Sequence, residues 1–125
     1  MGRTKQFEDI EVWQAAKQVV IDVYRLTRDG ALAKDYGFKD QFQRAAVSVM
    51  SNIAEGCERG GNRELIQFLH IAKGSAAETR SLVHVGRDLG CLAETQRASM
   101  LEQLISISRQ LGGFIHYLAR GPKPP

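Results

Sequence analysis

Residues 45–67 read "AAVSVMSNIAEGCERGGNRELIQ". The first half is a helix whose apolar residues are interrupted by Ser48, Ser51, Asn52 and Glu55. At roughly 100° per residue, Phe42, Ala46, Val49, Met50, Ile53 and Gly56 share one face. Val47 and Ala54 widen the apolar arc to more than half the circumference. Arg44, Ser48, Asn52, Glu55 and Arg59 make up the narrow remainder. An arc this wide exceeds what one intramolecular core needs, so burial on more than one side is expected. The second half, "ERGGN", is a break. Gly60-Gly61 ends the helix, and Asn62 is the expected cap of the next one.

Working outward, three further helical patterns appear. The first spans about Ile10 to Arg28, with Asp9 as the expected N-cap and Val12, Ala16, Val19, Val20, Val23 and Leu26 at helical spacing. The second, already described, spans about Phe38 to Cys57. The third spans about Arg63 to Leu89. An interior glycine costs about 1 kcal/mol relative to alanine, so its Gly74 and Gly86 predict close approach of a neighbour. The fourth spans about Glu94 to Ala119, with a predicted core stripe of Ala98, Leu101, Leu104, Ile105, Ser108, Leu111, Ile115 and Leu118. Helices joined by short connections pack as antiparallel neighbours. The expected fold is therefore all-α, an up-and-down antiparallel four-helix bundle. Residues 1–120 form one domain, and residues 121–125, "GPKPP", form a flexible tail.

The 125 residues suffice for one core, and 43% apolar with 25% charged is ordinary for a globular chain. A net charge of +3 permits a nucleic-acid partner without requiring one. No run approaches the roughly 20 apolar residues of a membrane span. No secretory-type stretch precedes the first helix, so a cytoplasmic protein with reduced thiols is expected. Cys57 and Cys91 then read as small apolar fillers. Met1-Gly2 resembles a myristoylation start, but Gln6 stands where Ser or Thr is required.

The chemistry-bearing patterns are sparse. His70 and His84 lie about 21 Å apart along one helix, too far to share a metal ion. No HExxH, ExxH, GxSxG or CxxC occurs, and "KGS" at Lys73 to Ser75 lacks the glycine loop of a P-loop. Neither a metal, a cofactor nor an enzymatic reaction is expected. Ser48, Asn52 and Glu55 read better as a packing set than as a catalytic one, because no histidine accompanies them.

The third helix carries the most suggestive charge pattern. Arg63, His70, Lys73, Arg80, His84 and Arg87 fall within an arc of roughly 120°. The first helix adds Lys17, Arg25 and Arg28 with Tyr24 among them. A basic line can follow a phosphate backbone and a tyrosine can stack on a base; a solvated helix face is the bland alternative. The third helix also has a second apolar edge, Ile71, Leu82, Val85 and Leu89, beside Glu78. Two apolar edges on one helix, with Val47, Ser48, Asn52, Ala54 and Glu55 on the second, predict a homo-oligomer.

"FEDIEVW" at Phe7 to Trp13, "QFQRAAVSVMSNIAEG" at Gln41 to Gly56 and "ELIQFLHIAKGSAAET" at Glu64 to Thr79 resemble the 23S rRNA-intervening-sequence proteins. The resemblance covers nearly the whole chain. Members often carry proline where Met50 stands, and His70 and Lys73 are less typical occupants of their positions. The resemblance implies a four-helix bundle that forms a ring-like homopentamer, similar to the accessory protein of diversity-generating retroelements, a basic pentamer that engages a reverse transcriptase and nucleic acid. Five copies would carry about +15. The expected partners are thus a second copy of this chain, RNA or DNA, and alternatively a protein docked without nucleic acid; no membrane partner is expected.

Overall fold

The computed structural model describes residues 6–121. The Met1-Gly2 reading and the tail from residue 122 onward lie outside the described residues. A 3-10 turn at Phe7–Asp9 leads into α1 (Glu11–Arg28), and α2 (Ala31–Lys34), α3 (Tyr36–Glu58), α4 (Asn62–Asp88) and α5 (Glu94–Ala119) follow. The four long helices match the four expected from periodicity. Among the described residues no helix is long and apolar enough to cross a membrane.

α1 packs on α3, α3 on α4, α4 on α5 and α5 back on α1, while the backbones of the diagonal pairs α1/α4 and α3/α5 stay apart and only their core side chains share the interior. Side-chain pairs fix the directions. Ser48 meets Ser75 while Gln41 meets Glu78, so α3 and α4 are antiparallel. Thr27 meets Gln43 across α1 and α3, and Asp22 meets Gln103 across α1 and α5. One end of the bundle therefore holds the Gly60 turn, with the start of α1 and the end of α5. The opposite end holds Gly30 and Gly90.

The core follows from these stripes. Phe42, Ala46, Val49 and Ile53 of α3 are buried against Val12, Ala16, Val19 and Val23 of α1, Leu69, Ala72, Ala76 and Val83 of α4, and Leu104 and Ile107 of α5. Buried Thr27 completes the α1 stripe. Its hydroxyl donates to the Val23 carbonyl at 2.8 Å and accepts from Gln43 Nε2 at 2.9 Å, so a polar side chain sits in the core with its hydrogen bonds made.

Several local expectations are corrected. Ile10, in extended conformation, is the N-cap of α1, and Asp9 belongs to the preceding 3-10 turn. Gly61 is the N-cap of α4, and Asn62 is its first helical residue. Asp35 caps α3 by accepting from the Phe38 amide at 3.1 Å. The buried stripe of α5 is Met100, Leu104, Ile107 and Leu111. Ala98 is exposed, and Leu101, Ile105, Ser108, Ile115 and Leu118 are half-buried beside the stripe. α5 has apolar residues in two adjacent registers, and packing between α4 and α1 buries one of them.

The glycines of α4 divide. A Cβ on buried Gly86 would meet Leu92 Cδ1 at 3.2 Å and Phe38 Cζ at 3.5 Å, as expected of a close approach. A Cβ on Gly74 would meet nothing within 4 Å among the described residues, so Gly74 faces open space in the protomer.

Candidate functional site

The polar set of α3 lies inside the α3–α4 seam. Ser48 Oγ and Ser75 Oγ are 2.7 Å apart, and Asn52 Nδ2 donates to Ser48 Oγ at 2.9 Å and to the Ser48 carbonyl at 2.8 Å. Small hydroxyls let the two backbones close while leaving no polar group stranded. Glu55 is exposed and accepts from Arg59 at 2.7 Å. Glu78 is exposed and accepts from Gln41 across the seam at 3.4 Å. Val47 and Ala54 are half-buried.

The nucleophile candidates are muted. Burial, and then the charge of Glu58, push the Cys57 thiol up, which keeps it protonated and unreactive at neutral pH. Among the described residues no group of three or more His, Cys, Asp or Glu side chains is placed to hold a metal ion.

The cationic residues separate into groups. α1 and α4 are diagonal, so Lys17, Tyr24, Arg25 and Arg28 do not join the α4 line. All four are exposed; Lys17 Nζ sits 5.5 Å from the Trp13 ring centroid, and Arg25 lines a groove with Asp22 between α1 and α5. Within α4 the line also divides. Arg87 donates to the Leu92 carbonyl at 3.0 Å and pairs with Glu94 at 3.4 Å, so it ties the Gly90 turn. Arg80 is half-buried, and its Nε has no hydrogen-bond partner among the described residues. His84 is exposed near the Gly90 end. Arg63, His70 and Lys73 remain exposed toward the Gly60 end.

Of those three, Lys73 abuts α5, where a second set lies outside the expected site. Lys73 Cε would lie 3.7 Å from a Cβ on Gly112, so this turn of α4 abuts Gly112 of α5. Arg109, Gly112, His116 and Arg120 follow one another at helical spacing of three or four, along one stripe of α5. Arg109, His116 and Arg120 are exposed. The α4–α5 seam thus carries cationic and imidazole groups from both helices. Arg63, Lys73 and Arg109 form no ion pair among the described residues.

Acids are absent from the Gly60-end half of this seam, Asp88 and Glu102 lying toward the Gly90 end. From Gln103 onward the sequence contains no Asp or Glu. On α4, Glu64 and Glu78 fall on the opposite edge, where Glu78 meets α3 and Glu64 lies close enough to act on Arg59. The acid-free run beyond Gln103 is a sequence signal that points to Arg109, His116 and Arg120. Spacing within α4 alone does not reveal them, because the seam is built by two helices.

The other flank of α4 is apolar. Ile71 is 51% exposed, Val85 43% and Leu89 60%, while Leu82 is half-buried against the core. An apolar edge this open on one helix is unusual for a surface that faces only water.

A family model described as 23S rRNA-intervening sequence protein matches residues 8–113. Among solved structures, the chain is similar to a protein of unknown function from the S23 ribosomal protein family of Bacteroides thetaiotaomicron. That similarity has a TM-score of 0.76 over 84% of this chain and 95% of the other, at 19% identity, and it concerns the fold. No curated protein matches the sequence.

Proposed function

Since the chain belongs to the 23S rRNA-intervening sequence protein family, we propose that it is a non-enzymatic, homopentameric binding module for nucleic acid, RNA or DNA. The α4–α5 seam is the face that takes the phosphates. The observation that carries this reading is the set of exposed Arg63, Lys73 and Arg109 without acidic partners among the described residues. Unpaired cations on a ridge release condensed counterions from a polyanion, and that release drives binding. Self-association draws support from exposed Ile71, Val85 and Leu89 on the opposite flank of α4. Each subunit of a ring would then bury one flank and present the other.

The test replaces Arg63, Lys73 and Arg109 together by glutamine and measures affinity for a short RNA across salt concentrations. The three side chains are exposed, so the fold should persist. The slope of log affinity against log salt should fall by about 2, since each lost phosphate contact removes about 0.7 to 0.9. An unchanged slope overturns the assignment. The second reading, an adaptor that docks a protein without nucleic acid, is favoured by the same open apolar edge. It predicts a complex that survives nuclease treatment and is lost on Val85→Glu.

A further inference from the structure

We infer that Tyr117 is a stacking platform for an unpaired base, so that the ligand of the α4–α5 seam is single-stranded nucleic acid; this rests on the polyanion reading above. Phosphate contacts alone do not distinguish a duplex from a single strand. An open aromatic face beside them does, because only an unpaired base can leave its stack to lie on a protein ring.

Three cation-on-ring contacts gather at the Gly60 end of the bundle. Lys17 lies over Trp13 at 5.5 Å, Arg59 over Phe68 at 5.1 Å and Arg120 over Tyr117 at 6.0 Å from the centroid. Trp13 and Phe68 are half-buried, with much of their surface committed to the protein. Tyr117 is 63% exposed. It is the large exposed aromatic at this end among the described residues, since Tyr24 and Tyr36 belong to the Gly90 half.

The neighbours of the ring fit the same purpose. Arg120, the last member of the cationic stripe of α5, holds its guanidinium over Tyr117, so the ring adjoins that stripe on the edge of α5 that turns from α4 toward α1. Gly113 lies one turn before Tyr117, exposed, and a Cβ there would meet nothing within 4 Å. The surface one turn before the ring is therefore open at Gly113, and a planar base can lie across it toward Tyr117. A bare interior glycine costs about 1 kcal/mol in helix propensity against alanine. No close helix contact accounts for it at Gly113, in contrast to Gly86.

Three proteins, wild type, Tyr117→Ala and Gly113→Leu, are tested against a fluorescent oligothymidylate and a DNA duplex of equal phosphate number. Tyr117→Phe is the conservative control. Circular dichroism and wild-type oligomeric state are required of each variant. Tyr117→Ala should weaken the single strand by about 5- to 150-fold, the loss of one stacked base. Duplex binding should stay within twofold. Tyr117→Phe should bind as wild type, and Gly113→Leu should weaken the single strand by blocking the space beside an intact ring. If wild type binds both probes and Tyr117→Ala weakens neither, or both equally, the stacking inference falls and the polyanion reading stands. If wild type binds neither probe at low salt, both fall.

Discussion

The α3–α4 seam and the α1–α5 seam are built from similar side chains and packed to different standards. Between α3 and α4, a Cβ on Gly56 would lie 2.7 Å from Phe68 Cβ and 3.0 Å from Leu65 Cδ1. Ser48, Ser75 and Asn52 satisfy one another in the same seam. Between α1 and α5, grooves of about 520 Å³ and 320 Å³ run beside Gln18, Asp22, Ser99 and Gln103. The side-chain hydrogen bond that crosses there, Gln103 Nε2 to Asp22 Oδ2, is long at 3.5 Å, and Gln103 Oε1 is buried without a partner among the described residues. Small polar residues thus have two outcomes. Where glycine lets the helices close they become an internal zipper, and where the helices stay apart they line an open groove.

Substitutions should expose that contrast, and the largest effect belongs at Gly56. Gly56→Ala forces a methyl into Phe68 and should lower stability by about 1–3 kcal/mol, read from the urea midpoint at unchanged slope. A loss below 0.5 kcal/mol would mean that the seam yields freely. Next, Ser75→Ala leaves Ser48 with Asn52 but removes the cross-helix bond, and should cost about 1 kcal/mol.

In the loose seam the sign reverses. Gln103→Met removes an unsatisfied buried oxygen and should be neutral or stabilise by up to about 1 kcal/mol. A clear loss there would show that the long Gln103–Asp22 hydrogen bond outweighs the unsatisfied oxygen.

The smallest effect concerns the turn joining α4 to α5. The hydrogen bond from Arg97, helped by the charges of Arg97 and Arg87, holds the Glu94 carboxyl below its ordinary range. A lowered carboxylate stabilises the fold above the unfolded value near pH 4.3, and that contribution disappears as pH falls through the lower folded value. Glu94→Gln should therefore have a slightly lower urea midpoint than wild type at pH 6, with the gap closing toward pH 3.

Much of this architecture is legible in the residues. The glycines at 60, 61 and 90 punctuate the helices, and the stripes of α1 and α3 follow from three-and-four spacing. α2 is not legible, because four residues cannot establish a period and its one buried side chain, Leu32, could belong to any turn. Thr27 is hidden by its type, since its burial depends on Gln43 arriving from another helix. On α5, Met100 and Ile107 are no more apolar than their neighbours Leu101 and Ile105, and only the placement of α1 and α4 decides which are fully buried. The candidate site is half legible for the same reason. Arg63, His70 and Lys73 share a face of one helix, whereas Arg109, His116 and Arg120 join them only once α5 folds back. Arg87 looks equivalent in spacing and is instead occupied with Leu92 and Glu94.

The central claim is that nucleic acid lies along α4–α5 at the Gly60 end. Ultraviolet crosslinking of bound RNA followed by mass spectrometry of the protein tests it most directly. The account predicts adducts in the peptides spanning residues 63–80 and 109–120, with Tyr117 among the modified residues. Adducts concentrated on α1 around Tyr24 and Arg28, with residues 109–120 unmodified, would contradict it.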